Sequence, residues 1–295
     1  MVRWSTRGGC RAASRLQGSE KMDSIREFNE RRWAALAAAD ALYTQPALDL
    51  DETSARDLID PFHQLPDLEG QPVLCLAAGG GQQSAAFGVL GASVTVADIC
   101  EAQLERDRVA SRRYGYSVAT VLADMRDLSA FESDAFAVVY QPYSLNFVPE
   151  PNLVFTEVSR VLRLGGSYFV MFANPTALGV SPRDWNGSAY PIPDYADHGP
   201  VECADESWVY RTSPVGARPA PHPLEYRHTW SQILNGLCEA GFVTTHLHEH
   251  RGTSIDEAPG TWAHFSSHIP PWFEIWARHR PDILARPRRP TDGWG

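Results

Sequence analysis

Val73-Leu-Cys-Leu-Ala-Ala-Gly-Gly-Gly-Gln-Gln-Ser84 decides how this chain folds. A short apolar run ends in three glycines, and Ala85, Ala86, Phe87, Val89 and Leu90 follow at helical spacing. The pattern predicts a buried strand, a tight glycine turn and a helix. A side chain in such a turn would hold the backbone away from a bound ligand, and glycine removes it. The helix behind the turn presents its N-terminal N–H groups to the same ligand. α/β proteins hold nucleotides and nucleoside-like cofactors in this way.

The alternation continues outward from that turn. Residues 91–99 (GASVTVADI) read as a second strand ending in Asp98. An acid there, roughly 20 residues beyond the glycines, suits hydrogen bonding to ribose hydroxyls. A helical pattern carrying Gln103, Leu104, Val109 and Ala110 leads to a strand at 117–122 and then to Ala-Asp-Met-Arg-Asp at 123–127. A fourth strand, 135–140, runs into Gln141-Pro-Tyr-Ser-Leu-Asn146. A helix over 153–162 is followed by an Arg-Leu-Gly-Gly-Ser turn and a strand at 168–172.

In this order the segments resemble the class I S-adenosylmethionine (SAM)-dependent methyltransferases, over about Val73 to Pro175. The sequence is most similar to a bacterial subgroup with a CLA-x-GGGQQS first motif and a WQPYS-x-NFVP-like fourth motif. The resemblance implies an α/β Rossmann-like three-layer sandwich. Its seven-stranded, mostly parallel sheet has the last strand antiparallel, with an N-terminal helical lid and an insertion after the fifth strand. It also implies SAM as the cofactor, with Ala77, Gly79, Gly81 and Gln82 in the cofactor-binding turn and Asp98 on the ribose. Gln103 would support the ribose side, Asp124 and Met125 the adenine, and Gln141 and Tyr43 the rest of the cofactor. Two departures stand out. Ala77 replaces the first motif glycine, and Cys75 stands where the family often has an acid that helps bind the cofactor's ammonium group. That contact must then come from elsewhere, for instance from backbone carbonyls.

A dinucleotide-binding dehydrogenase is the rival reading of the same turn. Gly79-x-Gly81 begins a G-x-G-x-x-G pattern, but Ser84 occupies the third glycine position. Asp124-Met125 and Gly165-Gly166 have no role in that reading. A Rossmann-like scaffold that binds nothing is a third possibility.

Composition bounds the alternatives. The chain has 295 residues, 43% of them hydrophobic, enough for one large α/β domain with additions. No apolar run approaches the ~20 residues of a membrane span. A formal net charge of −10 argues against a nucleic-acid partner, which needs clustered Lys and Arg. Five cysteines (Cys10, Cys75, Cys100, Cys203, Cys238) without a C-x-x-C pattern fit a reducing, cytoplasmic location, with Cys75 and Cys238 as small core residues.

Residues 1–21 carry Arg3, Arg7, Arg11 and Arg15 among Ser, Gly and Ala. They read as a disordered extension, either transit-peptide-like or an upstream-extended start ahead of Met22. Residues 22–70 read as the helical lid, with periodic Ile25, Phe28, Trp33, Leu36, Ala39 and Leu42 predicting a helix over 23–47. Residues 71–280 form the SAM-binding domain with its insertion at 174–228, and 281–295 a flexible tail. Within the insertion, Trp185, Tyr190, Tyr195, Trp208 and Tyr210 suit either an apolar acceptor pocket or a local core.

On the acceptor side, Tyr143 and Asn146 follow the fourth strand, where loops face the ligand crevice. In Glu225-Tyr-Arg-His-Thr229, His228 is a candidate general base and Arg227 a candidate carboxylate clamp, against a plain capping role. His246, His248 and His250 alternate along one strand face, a poor tetrahedral set, and no metal is expected. The expected activity is methyl transfer from SAM to an O or N atom of a small-molecule acceptor, by a monomer or homodimer, with no nucleic-acid or membrane partner. SAM-consuming cyclisation, an NAD-dependent dehydrogenase and a non-catalytic SAM-binding protein are the alternatives.

Overall fold

The computed structural model describes residues 9–195, 199–201, 220–252 and 256–284, with side chains from Ser24 onward. Seven strands form one sheet: β1 (Pro72–Leu76), β2 (Ser93–Asp98), β3 (Val118–Leu122), β4 (Phe136–Gln141), β5 (Leu162–Ala173), β6 (Phe242–Glu249) and β7 (Trp272–His279). Their order is β3-β2-β1-β4-β5-β7-β6. All neighbouring pairs are parallel except β5–β7 and β7–β6, so β7, last in the chain, runs against the rest. The seven-stranded, mostly parallel Rossmann-like sheet expected from the sequence is the one observed.

The central strands are buried on both faces, which is why β1 reads as an unbroken apolar run rather than an alternating one. Leu74, Leu76, Val139, Tyr168, Val170 and Phe172 face one core with α5 (Pro151–Val161) and α6 (Trp230–Glu239). Val73, Cys75, Val94, Val138, Tyr140 and Phe169 face the other, with α2 (Glu52–Ile59), α3 (Gln83–Val89) and α4 (Glu101–Tyr114). On that face Tyr140 stacks on Phe169 at 4.1 Å between centroids, and Trp276 from β7 closes against Phe169 at 4.6 Å.

Several boundaries differ from the sequence reading. β5 begins at Leu162, so the Leu-Gly-Gly stretch lies inside it. Between Phe136 and Val138 the pairing partner on β5 jumps from Leu162 to Ser167, an irregularity that absorbs Gly165 at φ +78°. The N-terminal helix α1 spans Gly9–Ala38, starting before and ending earlier than the periodicity predicts, and a 3₁₀ turn at Leu42–Thr44 follows it. Ile25, Asn29, Arg32 and Leu36 form its buried stripe. The two polar members of the stripe are paired: Asn29 Nδ2 donates to Phe147 O at 2.9 Å and Arg32 Nε to Pro221 O at 3.1 Å. Cys238 is exposed, not core, because α6 buries Ile233, Gly236 and Leu237 instead.

The helix α7 (Trp262–His268) has no counterpart in the sequence reading. Thr261 caps it by accepting from His264 N. Trp185 and Tyr190 pack on His264, His268 and Phe265, so this part of the insertion shares a small core with α7. Tyr195 Oη accepts from Trp230 N at 2.9 Å. Trp208, Tyr210 and Cys203 lie outside the described residues, as do most of the first nine residues and the tail from 285, while the side chain of Cys10 is not described. Among the described residues no helix is long and apolar enough to cross a membrane.

Candidate active site

A cavity of about 800 Å³ opens at the carboxyl ends of β1, β2, β4 and β5. This is where parallel sheets leave a crevice for ligands. Its first wall is the glycine turn. Ala77 has φ +46°, in the left-handed region where glycine is favoured, and its N–H donates to Ala97 O at 2.7 Å. The position thus keeps the glycine conformation that the family's motif supplies, at some strain.

Asp98, the last residue of β2, faces the cavity. Its Oδ2 accepts from Gly79 N and its Oδ1 from Cys100 N, each at 2.9 Å. Burial pushes its pKa up to about 6, against the backbone hydrogen bonds that favour the ionised form. A Cβ on Gly79 would come within 2.8 Å of the Asp98 carboxylate and 2.6 Å of Gln103 Cβ, so that residue must be glycine for the turn to close over β2.

Gly80 and Gly81 face the other way. Their N–H groups donate to Asp107 of α4 at 3.2 and 3.1 Å, and Ser84 Oγ donates to the same carboxylate. Asp107 is fully buried, and burial, with help from the charge of Asp98, raises its pKa to about 7. Gly81 therefore serves packing and the N-terminus of α3; it does not line the cavity as the sequence reading has it.

Asp124 and Met125 line the cavity beyond β3. Asp124 is gripped by Arg126: Oδ1 accepts from its N–H and Nε, and Oδ2 pairs with Nη2 at 2.7 Å. Gln103 and Gln82 also line it, Gln82 Nε2 donating to Gln45 O at 2.9 Å, and Tyr43 covers one side. The Oε1 of the buried Gln103 has no partner among the described residues.

Four further residues expected at the site do not reach it. Gln141 is fully buried, its Nε2 donating to Ser144 Oγ at 3.1 Å and Met125 Sδ at 3.3 Å and its Oε1 accepting from Tyr168. Asn146 donates to Tyr226 O and accepts from Ala173 N, both at 2.8 Å. Arg227 donates to Leu178 O at 2.7 Å and Asp194 O at 2.6 Å. His228 is buried with its Nε2 3.1 Å from Leu145 O. Their polar groups are used to pin segments together, which sequence position alone does not reveal. Tyr143 does line the cavity; its phenol donates to Glu225 Oε2 at 3.0 Å.

His228 is a poor base for a further reason: burial lowers its pKa to about 4. Because the folded pKa lies below the unfolded one, the unfolded chain takes up the proton first. Its contribution to stability is full above pH 6.5 and is lost as pH falls toward 4, by about 3 kcal/mol. The gap in unfolding free energy between the protein and His228→Gln should shrink by that amount between pH 7 and pH 4 in denaturant titrations. A gap independent of pH would show that His228 is not held neutral.

The three strand histidines lie close along one face, His248 and His250 5.0 Å apart between ring centroids. His246 and His248 lie against the ring of Phe62, both at 4.6 Å between centroids, and His250 Nε2 contacts Glu274 Oε1 at 2.7 Å. Residues the sequence reading missed complete the cavity: Trp33 of α1, Glu225, Trp262 and Phe265 of α7, and Trp272 of β7. No short motif marks them, since they converge from distant parts of the chain.

Comparison with known proteins gives this geometry its setting. The family described as "Methyltransferase domain" matches residues 74–170. The uncharacterized methyltransferase YbaJ of Bacillus subtilis (strain 168) is 30% identical over 204 residues, covering 69% of this chain and 77% of the relative. This chain belongs to the SAM-dependent methyltransferases. The methyltransferase also matches the ubiquinone biosynthesis O-methyltransferase of Xanthomonas oryzae pv. oryzae (strain PXO99A), at 28% identity over 53% of this chain and 62% of that one, less than two thirds of its length. Its fold matches the SAM-dependent methyltransferase from Mesorhizobium loti with a TM-score of 0.59 at 22% identity, covering 79% of this chain and all of the other.

SAM is the cofactor of this methyltransferase, and the residues present fit it. Each Asp98 oxygen has used one acceptor position on a backbone N–H, leaving others for a diol. Gln103 lines the same cavity, and its Oε1, without a partner among the described residues, is a buried acceptor that a hydroxyl would satisfy. When bound, SAM supplies a methyl group made electrophilic by its sulfonium.

Proposed function

We propose that this methyltransferase transfers the methyl group to an oxygen or nitrogen atom of a small, largely apolar molecule. In this reading Asp98 and Gln103 hold the ribose, Asp124 and Met125 the adenine, and Gly79, Ala77 and Gln82 the remainder, with Tyr43 and α1 closing over them. Tyr143 stands on the acceptor side. The observation that carries the reading is the extent of the cavity. Besides the residues this reading gives to the cofactor, the chamber is lined by Phe147, Met171, Leu178, Trp262, Phe265 and Trp272. Such a chamber favours a flat or branched apolar body and excludes water from a reaction that gains mainly from alignment. The net charge of −10 is in keeping with a small acceptor rather than a polyanion. The Xanthomonas relative is named for O-methylation in ubiquinone biosynthesis, the same class of reaction.

The reading is tested by calorimetric titration with SAM and with NAD⁺, followed by product analysis of the protein incubated with SAM alone. Saturable SAM binding, no NAD⁺ binding and no methylthioadenosine are expected. NAD⁺ binding in place of SAM would give a dehydrogenase, and methylthioadenosine formed without an acceptor would give a cyclase.

A further inference from the structure

Gly80 and Gly81 do not line the cavity, but Gly79 before them and Gln82 after them do. Where those two stand is set by what holds the pair between them. Gly80 and Gly81 have φ of +120° and +75°, a conformation that only glycine adopts freely. No side chain of the turn itself fixes them, since Gln82 makes no capping hydrogen bond at the start of α3. The acceptors come from α4. Gly80 N donates to Gln103 O and to Asp107 Oδ2, each at 3.2 Å, and Gly81 N to Asp107 Oδ1 at 3.1 Å. Gln103 and Asp107 are four residues apart, and so share one face of that helix.

Burying a carboxylate is costly unless its oxygens are hydrogen-bonded. Asp107 is fully buried, and its donors, Gly80 N, Gly81 N and Ser84 Oγ, all belong to the glycine turn and the first turn of α3. Arg106, beside it in the chain, is committed elsewhere, to Ala37 O and Asp40. The pinned turn in its turn seats the segment that covers the cavity. Gly81 O accepts from Ala47 N at 3.1 Å, Gln82 Nε2 donates to Gln45 O, and Tyr43 of the same segment lines the cavity.

We propose that Asp107 is a positioning residue for the amino-acid end of SAM. Buried beneath the turn, it does not touch the cofactor. It fixes Gly80 and Gly81, and through them Gly79, Gln82 and the covering segment 43–47. This rests on the reading of the site given above, in which Asp98, Gln103, Asp124 and Met125 hold the ribose and adenine. None of those four side chains is hydrogen-bonded to Asp107. The two halves of the cofactor therefore respond differently when Asp107 is changed.

The test is calorimetric titration with SAM and with methylthioadenosine, which lacks the amino-acid end, on the protein, Asp107→Asn and Ser84→Ala. Asp107→Asn keeps the size of the side chain and one acceptor oxygen. It should raise the dissociation constant for SAM about tenfold or more and that for methylthioadenosine by no more than about threefold. Ser84→Ala leaves the carboxylate and removes one of its donors, and should weaken SAM binding about threefold with methylthioadenosine unchanged. In the ligand-free protein, hydrogen exchange at the Gly80 and Gly81 amides should quicken in Asp107→Asn while the amides of β1 and β2 keep their rates. Equal losses for the two ligands would show general damage to the fold and overturn the proposal, as would unchanged SAM affinity in Asp107→Asn. If Asp107→Asn does not unfold cooperatively, Ser84→Ala decides, and SAM affinity equal to that of the unaltered protein overturns the proposal. An unaltered protein that binds neither ligand would sink the reading of the site, and this proposal with it.

Discussion

Replacing Asp98 with alanine should raise the dissociation constant for SAM by roughly 10²- to 10⁴-fold, at two lost hydrogen bonds to a charged group of about 1.5–3 kcal/mol each. The substitution also removes the acceptor that holds Gly79 N and Cys100 N, so both the diol contact and the shape of the turn are affected. Asp98→Asn keeps the size and loses the charge, and should fall between the two. The pH dependence separates electrostatics from shape. With its pKa raised to about 6, Asp98 is protonated in much of the free protein below that pH. Ribose hydroxyls donate to the ionised form, so binding expels the proton. SAM affinity should therefore weaken as pH falls below about 6, by up to tenfold per unit, and be flat in Asp98→Ala. The same shift acts oppositely on the free protein's stability. The native state holds the proton more tightly than the unfolded chain, so ionising Asp98 removes about 3 kcal/mol as pH rises from 3.8 to about 6. Calorimetric titrations at pH 5, 6, 7 and 8 read the effect; equal affinity in the protein and Asp98→Ala would remove Asp98 from the cofactor site.

Gly81→Ala should destabilise the fold by about 3 kcal/mol or more, a fall in Tm of roughly 6–12 °C for a domain of this size. Two causes add. The residue sits at φ +75°, and the new Cβ would lie 2.6 Å from Arg106 O and 2.8 Å from Pro46 Cβ. Arg106 O is backbone within α4 and cannot swing aside. Gly115 provides the comparison: its φ is +77°, with nothing within 4 Å of an added Cβ. Gly115→Ala should cost only the conformational part, about 1 kcal/mol. Equal melting temperatures for the two variants would mean that the contact with α4 is not the constraint on the glycine turn. Since Gly81 also holds α3 onto Asp107, Gly81→Ala should weaken SAM binding although the residue does not line the cavity.

The wall of the cavity at the ends of β1, β2 and β3 was legible because it is local. The run from Val73 to Ser84, Asp98, and Asp124-Met125 each sit at or just beyond the carboxyl end of a strand, and apolar period, glycines and chain spacing place them without tertiary information. Even Ala77 follows this logic, taking the left-handed backbone that a glycine would supply.

The wall beyond β4 was not legible in that way. Asn146, Arg227 and His228 have the right chemistry and the right neighbourhood in sequence, but Asn146, Arg227 and His228 are spent on the carbonyls of Tyr226, Leu178, Asp194 and Leu145. Glu225, two residues before Arg227, lines the cavity instead. A hydrogen-bonding side chain serves a carbonyl as readily as a substrate, and only packing decides which. The sequence by itself therefore determined the sheet and the glycine turn, since backbone geometry and hydrophobic period are local properties, while its resemblance to a known family supplied the cofactor. Which polar groups are consumed in the interior, and which aromatic side chains from α1, α7 and β7 converge on one chamber, depends on contacts between residues as far apart as Trp33 and Trp272. Only the tertiary structure decided that.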